Sequence, residues 1–257
     1  MNLGLNQNLA SIYKSSSQRA RVITESWAQD NLYCPACPSD NLQPTPTGKK
    51  VIDFTCPNCE ETYQLKSQSH HFGYRVMNSA YEPKIKAIYA GTNPNYLFLH
   101  YNPEALVVSE LFVVPKHSMS ESIIERRKPL SERARRRGWV GSNILLGSLP
   151  TDARIQIVED AHEVPKATVR ETWERFLFLR EQSVYSRGWL ADVLADVRQL
   201  GQETFSLSDM YAFEEKLAKL HPNNKHIRPK IRQQLQVLRD HDIIEFLGKG
   251  SYQIRKS

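Results

Sequence analysis

No apolar run in the 257-residue chain approaches the roughly 18 residues that cross a bilayer, and the N-terminus has neither the basic segment nor the apolar core of a secretory signal. A soluble, cytoplasmic protein with no membrane partner is expected. Internal repeats and low-complexity tracts are also missing. With 40% hydrophobic and 24% charged residues, the composition excludes a wholly disordered or fibrous chain. At about 150 residues per domain, the length fits one large domain or two modest ones.

A strong excess of one charge is missing as well: 34 Lys and Arg against 28 Asp and Glu leave +6, a mild preference for anionic partners. Placement says more. Between 126 and 137, Arg126, Arg127, Lys128, Arg133, Arg135, Arg136 and Arg137 face the single acid Glu132. Residues 221–257 hold eight cations against three acids. Two basic surfaces, each able to neutralise phosphates, follow from this clustering.

Cysteine is scarce, but its placement is informative. Cys34, Cys37, Cys56 and Cys59 form two CxxC pairs separated by 18 residues. Each pair can turn two sulfurs onto one tetrahedral ion, so a closed, structural four-thiolate Zn2+ site is expected, with no open position for a substrate. The intervening segment 38–50, with three Pro and one Gly, has little apolar material to order itself.

Apolar spacing predicts two helices between Leu5 and Asp30, separated by the Ser15–Ser17 run. Val51, Ile52 and Phe54 read as a short strand and Thr62–Ser67 as a second. Asn95–Tyr101 and Leu106–Val114 are further strands, and residues 79–90 a helix. Ile144–Leu146 and Ile155–Val158 are candidate late strands, and Lys166–Leu179 an amphipathic helix. Helices packed on a central sheet, an α/β fold, are the economical solution.

After residues 180–187 the periodicity changes to three helices, roughly 188–199, 207–219 and 226–240, then a hairpin turning at Gly248-Lys249-Gly250. Three helices and a two-stranded wing form a winged-helix pattern. Around its third helix lie Lys225, Arg228, Lys230, Arg232, Gln233 and Gln234, a set suited to phosphates and major-groove edges. The same module also serves protein contacts.

Asp53 lies on the first short strand, and Gln64 and Lys66 share one face of the second. Paired around the cysteine turn, these strands bring a carboxylate, an amide oxygen and an ammonium together. Phosphodiester hydrolysis can use those parts: Asp53 and Gln64 to hold a divalent cation, Lys66 to orient water or stabilise developing charge. Asp53 also fits a plain turn residue.

The order of a helical start, CxxC, VIDFTCPNC (51–59), YQLKS (63–67), RARRRGWVGSNI (133–144) and the winged tail resembles the methyl-directed restriction endonucleases of the Dpn type over essentially the whole chain. The resemblance implies a PD-(D/E)XK nuclease domain at 1–182 with the zinc embedded, and a winged-helix DNA-binding domain at 183–257. It further implies a prokaryotic type II enzyme that uses Mg2+ to cut double-stranded DNA at GATC carrying N6-methyladenine. A monomer is expected, because a palindromic target need not imply a dimer, and the sequence leaves open whether one or two molecules act. Asp53 and Lys66 match the active-site pattern. Gln64 stands where that pattern has an acid, with Glu60 and Glu61 as replacement carboxylates if the turn folds back.

In the arginine segment, Arg126, Arg127, Arg135, Arg136 and Arg137 are candidate phosphate contacts. Trp139 reads either as a core anchor or as a surface for a methylated base, and Gly138 and Gly141 as allowing close approach to a groove; the resemblance favours recognition. His70 and His71 read as an exposed pair. A catalytically weak or inactive methyl-adenine DNA-binding protein, and a winged-helix regulator with an unrelated zinc domain, are the alternatives.

Overall fold

The computed structural model describes residues 1–46 and 51–255. Residues 47–50, the end of the proline-rich segment, and Lys256, one of the tail's cations, lie outside the described residues.

The elements run α1 (Ser16–Asn31), β1 (Gln43–Pro44), β2 (Phe54–Thr55), β3 (Thr62–Gln68), β4 (Arg75–Ala80), α2 (Tyr81–Tyr89), β5 (Asn95–Asn102), β6 (Val107–Val114), β7 (Ile124–Arg126), β8 (Gly141–Leu145), β9 (Ile155–Glu159), β10 (His162–Glu163) and α3 (Lys166–Glu174). There follow α4 (Val184–Gln199), β11 (Thr204–Ser206), α5 (Leu207–Tyr211), α6 (Glu214–Leu220), α7 (Ile227–Asp240), β12 (Ile244–Gly248) and β13 (Ser251–Ile254).

The central sheet has the order β1-β2-β3-β5-β6-β9-β10, and only β3 and β5 pair in parallel. Their parallel register needs a crossover, which β4 and α2 supply. Strand β5 is buried at every position from Asn95 to Tyr101 because both faces are covered. On one face, Leu97, Leu99, Leu111 and Val113 meet Trp27 of α1 and Trp173 of α3. On the other, Tyr96, Phe98 and Phe112 meet Ile88 of α2 and Ile144 of β8.

A small antiparallel sheet, β4-β8-β7, closes over that second face. It was not expected, apart from the strand near Ile144. Gln7–Ala10 forms a short 3-10 turn rather than the first of two helices, and the serine run caps and starts α1. The helix expected to reach Leu179 ends at Glu174 and is followed by a 3-10 turn. The strand expected over 51–54 is confined to Phe54–Thr55, since Val51 adopts φ 83.

The C-terminal part is a winged helix. Helices α4 and α7 pack through Trp189, Val193, Ile231 and Leu235, and the hairpin β12–β13 is completed by β11. The helix expected over 207–219 divides into α5 and α6 at Ala212–Phe213. A capping box between Ser206 and Asp209 starts α5. Phe176 and Leu179 belong to this core, although they precede α4. No helix among the described residues is long and apolar enough to cross a membrane.

Candidate active site and DNA-binding surfaces

The turn between β2 and β3 carries Cys56 and Cys59, and the chain after α1 carries Cys34 and Cys37. Their four sulfurs lie within 4.8 Å of one another. Cys34 and Cys59 are 3.7 Å apart and Cys37 and Cys56 3.5 Å, far beyond a disulfide bond. Thiolates about 2.3 Å from one tetrahedral ion would stand roughly 3.8 Å apart, so the spacing fits a shared metal. Burial opposes ionisation of Cys56, yet the N–H groups of Cys59 and Asn58 and the Cys37 thiol bring it down to about 7. Burial pushes the Cys34 thiol up, and its sulfur lies 3.2 Å from the Tyr63 hydroxyl.

Tying that turn down places Asp53 against β3. Its N–H donates to the Tyr63 carbonyl (2.9 Å), and its Oδ2 accepts from the Leu65 N–H (2.8 Å). Because β2 is only two residues long, the rest of the β3 edge beyond Thr62–Tyr63 has no strand beside it among the described residues. The carboxylate therefore takes the place of a backbone partner at Leu65. Gln64 and Lys66 point to the face of β5 that carries their register partners Tyr96 and Phe98.

Burial, and secondarily the charge of Glu25, raise Asp53 above the ordinary carboxylate value, against the Leu65 N–H, Lys66 and Arg21. Burial lowers Lys66, against the pull of Asp53. Asp53 and Lys66 are thus electrostatic neighbours. The Gln64 Oε1 is buried without a hydrogen-bond partner among the described residues. A buried, unpaired amide oxygen is costly, and a cation offers it a partner.

Two further side chains meet this site. Glu25 of α1 lines an open groove with Arg21, Gln29, Thr45, Ile52 and Asp53. Lys84 of α2 is 3% exposed, with its Nζ 4.9 Å from the centre of the Tyr96 ring. Burial and then repulsion by Lys66 bring Lys84 down to about 8. Neither was apparent in the motif, although Lys84 lies four residues before the buried Ile88 and so shares its helix face. The proposed replacement carboxylate Glu61 is committed elsewhere: it is 7% exposed and bound by Asn95 Nδ2 (2.9 Å), Lys116 Nζ (3.0 Å) and Arg180. Glu60 is exposed in the cysteine turn.

The arginine segment forms a long hairpin between β7 and β8. Arg126, Arg135, Arg136 and Arg137 are exposed, and with half-buried Arg127 they make no ion pair among the described residues. Trp139 is not a fully buried core anchor. It is half-buried, the Arg136 guanidinium lies 4.7 Å from its ring centre, and a Cβ on Gly141 would stand 2.8 Å from the ring. Gly141 thus makes room for the indole itself, whereas Gly138 turns the loop at φ +73.

On α7 and its approach, Lys225, Arg228, Arg232 and Gln233 are exposed and Lys230 is half-buried. Arg228 pairs with Glu214 (2.8 Å), and Lys230 donates to Gln233 (2.8 Å). Gln234 corrects the sequence reading. It is 4% exposed and shares the core face with Ile231, Leu235 and Leu238, so it presents nothing to a groove.

In comparison with protein families, the DpnI model of the Dam-replacing family matches residues 1–182, and the model of the Dam-replacing HTH domain matches residues 185–254.

Proposed function

From the premise that the chain belongs to the DpnI, Dam-replacing family, methyl-directed endonucleases acting at GATC that contains N6-methyladenine, we propose that Asp53, Gln64 and Lys66 form its cleavage site. We assign residues 1–182 to a PD-(D/E)XK domain and 183–257 to a winged-helix domain. The single observation that carries the site assignment is the Asp53 carboxylate and the Lys66 ammonium acting on one another beside the orphaned Gln64 Oε1.

Asp53 Oδ1, the Gln64 Oε1 and the Glu25 carboxylate are hard oxygen donors of the kind Mg2+ takes, and Glu25 supplies charge that Gln64 lacks. When bound there, Mg2+ neutralises charge on the phosphoryl oxygens and acidifies water. Hydrolysis joins a water oxygen to phosphorus as the phosphorus–oxygen bond to the leaving nucleoside breaks. Lys66 orients that water and meets the growing negative charge, with Lys84 adding a second ammonium behind it. A low dielectric strengthens both contributions.

The four thiolates hold structural Zn2+, which fixes Asp53 on β3 through the β2–β3 turn. The hairpin arginines, Arg126, Arg127 and Arg135–Arg137, and Lys225, Arg228, Lys230, Arg232 and Gln233 of the winged helix contact double-stranded DNA. Trp139, held over Gly141 by Arg136, supplies an apolar surface for the adenine methyl.

The test is cleavage with Mg2+ of otherwise identical GATC duplexes bearing N6-methyladenine on both strands, one or neither, with Asp53→Ala as control. Cutting of methylated duplexes that disappears in the control is expected. Undiminished cutting by Asp53→Ala refutes the site. Methyl-dependent binding without cutting would mean that Gln64 leaves a reader of methylated DNA instead of a nuclease.

A further inference from the structure

Apart from the four cysteines, one other group of metal-ligating side chains converges among the described residues. His71, His100 and Glu110 each offer a ligand atom, and these atoms lie within 4.8 Å of one another. His100 on β5 and Glu110 on β6 are directly opposed across the antiparallel pair. His71 arrives from the loop after β3, whose last residue, Gln68, is the register partner of His100 on the other side.

The arrangement is held from both ends. Gln68 Nε2 donates to the carbonyls of His70 (2.9 Å) and His71 (3.1 Å), so the loop backbone is tied to the strand it leaves. One residue later, Phe72 packs edge-on against Phe98 and Phe112, with ring centres 5.2 and 6.0 Å away. Between these anchors the His71 ring lies 4.2 Å from the His100 ring, and its Nδ1 is 4.0 Å from Glu110 Oε2.

His100 is 8% exposed, and its Nδ1 is buried without a hydrogen-bond partner among the described residues. A buried ring nitrogen normally finds one. The Arg154 guanidinium acts on Glu110 but donates to the Leu146 carbonyl, which leaves Glu110 available at the mouth of the cluster. Two imidazoles and a carboxylate are a borderline donor set, distinct from the soft four-thiolate cluster and from the oxygen donors around Asp53.

We propose that His71, His100 and Glu110 form a second transition-metal site that takes a divalent ion of the zinc class and leaves a coordination position open. The site lies on the face of the sheet that carries Lys66, roughly 7 Å further along β3. An ion there fastens the loop at 69–72 to the end of the catalytic strand.

The test is titration of the full-length protein with Zn2+ alone, in competition with a chromophoric chelator. Wild type should take up two equivalents, one tight and one weaker. His71→Ala and Glu110→Gln should each weaken the second equivalent at least tenfold and leave the first. His70→Ala should leave both. With Co2+, the weaker equivalent should give ligand-field absorption without thiolate charge transfer. A single equivalent in wild type, or two unchanged equivalents in His71→Ala, overturns the proposal. The side chain of His71 is 85% exposed, so its removal leaves the fold intact.

Discussion

Lys84 carries a costly buried charge near the proposed cleavage site, and replacing it with Met should stabilise the protein while impairing cleavage. Its ammonium falls from 10.5 to about 8, by burial first and by repulsion from Lys66 second. At about 1.4 kcal/mol per decade, that fall corresponds to roughly 3 kcal/mol of stability withheld at neutral pH. The folded form holds this proton less tightly than the unfolded chain does. The penalty is therefore complete below about 8 and vanishes as pH rises through the unfolded value of 10.5. Met keeps a similar length without the charge, and the lost contact with the Tyr96 ring offsets about 1 kcal/mol. The expected gain is about 2 kcal/mol at pH 7, shrinking towards pH 10.5. Urea denaturation of wild type and Lys84→Met, with zinc held constant, across pH 7–10 measures it. Cleavage by the variant should fall about tenfold if the ammonium faces the phosphate. A variant less stable than wild type at pH 7, or a gain independent of pH, would refute the reasoning.

Gln64→Glu should lower the Mg2+ concentration for half-maximal cleavage about tenfold, because a carboxylate holds the ion more strongly than an amide oxygen. An unchanged Mg2+ dependence removes Gln64 from the ion's surroundings. Gly141→Ala should cost about 1 kcal/mol and weaken duplex binding, since the new methyl displaces the Trp139 ring from 2.8 Å; calorimetry and fluorescence anisotropy report the two effects. Glu61→Ala should destabilise by about 2 kcal/mol in urea, less than a fully buried pair would, because Lys116 and Arg180 retain partial access to water. A loss below a few tenths would show that the Glu61 contacts are solvated.

The major strands and helices were legible because burial imposes a period on them. Strand β5 is apolar on both faces, α7 repeats its core residues every three or four positions, and the wing is punctuated by glycines. The small sheet escaped notice for the converse reason. In β4 only Val76 is buried, Arg75 and Met77 are exposed, and β7 has three residues, so no alternation is long enough to stand out. Its strands gain order from covering Phe98 and Phe112, a long-range requirement that local composition does not record. The two-helix expectation at the start misread serines that begin α1 as a break between helices.

The proposed cleavage site was legible only where chemistry and spacing coincide. Asp53, Gln64 and Lys66 sit in one short segment whose pairing is dictated by the cysteine turn. Glu25 precedes Asp53 by 28 residues and bonds Arg21 at 2.8 Å, which in sequence is an ordinary i,i+4 surface pair. Only the packing of α1 beside β3 turns that carboxylate towards Asp53. Lys84 and Gln234 share the opposite lesson. Each is polar, and polarity argued for the surface, yet each lies in helical phase with buried neighbours: Lys84 with Ile88, Gln234 with Ile231 and Leu238. Where residue type and phase disagree, phase locates the side chain and residue type states the cost. For Lys84 that cost is a depressed ammonium close to Lys66. On the proposed function, an incoming phosphate is the partner that would relieve it, so that the charge weakening the free protein would contribute to holding its substrate.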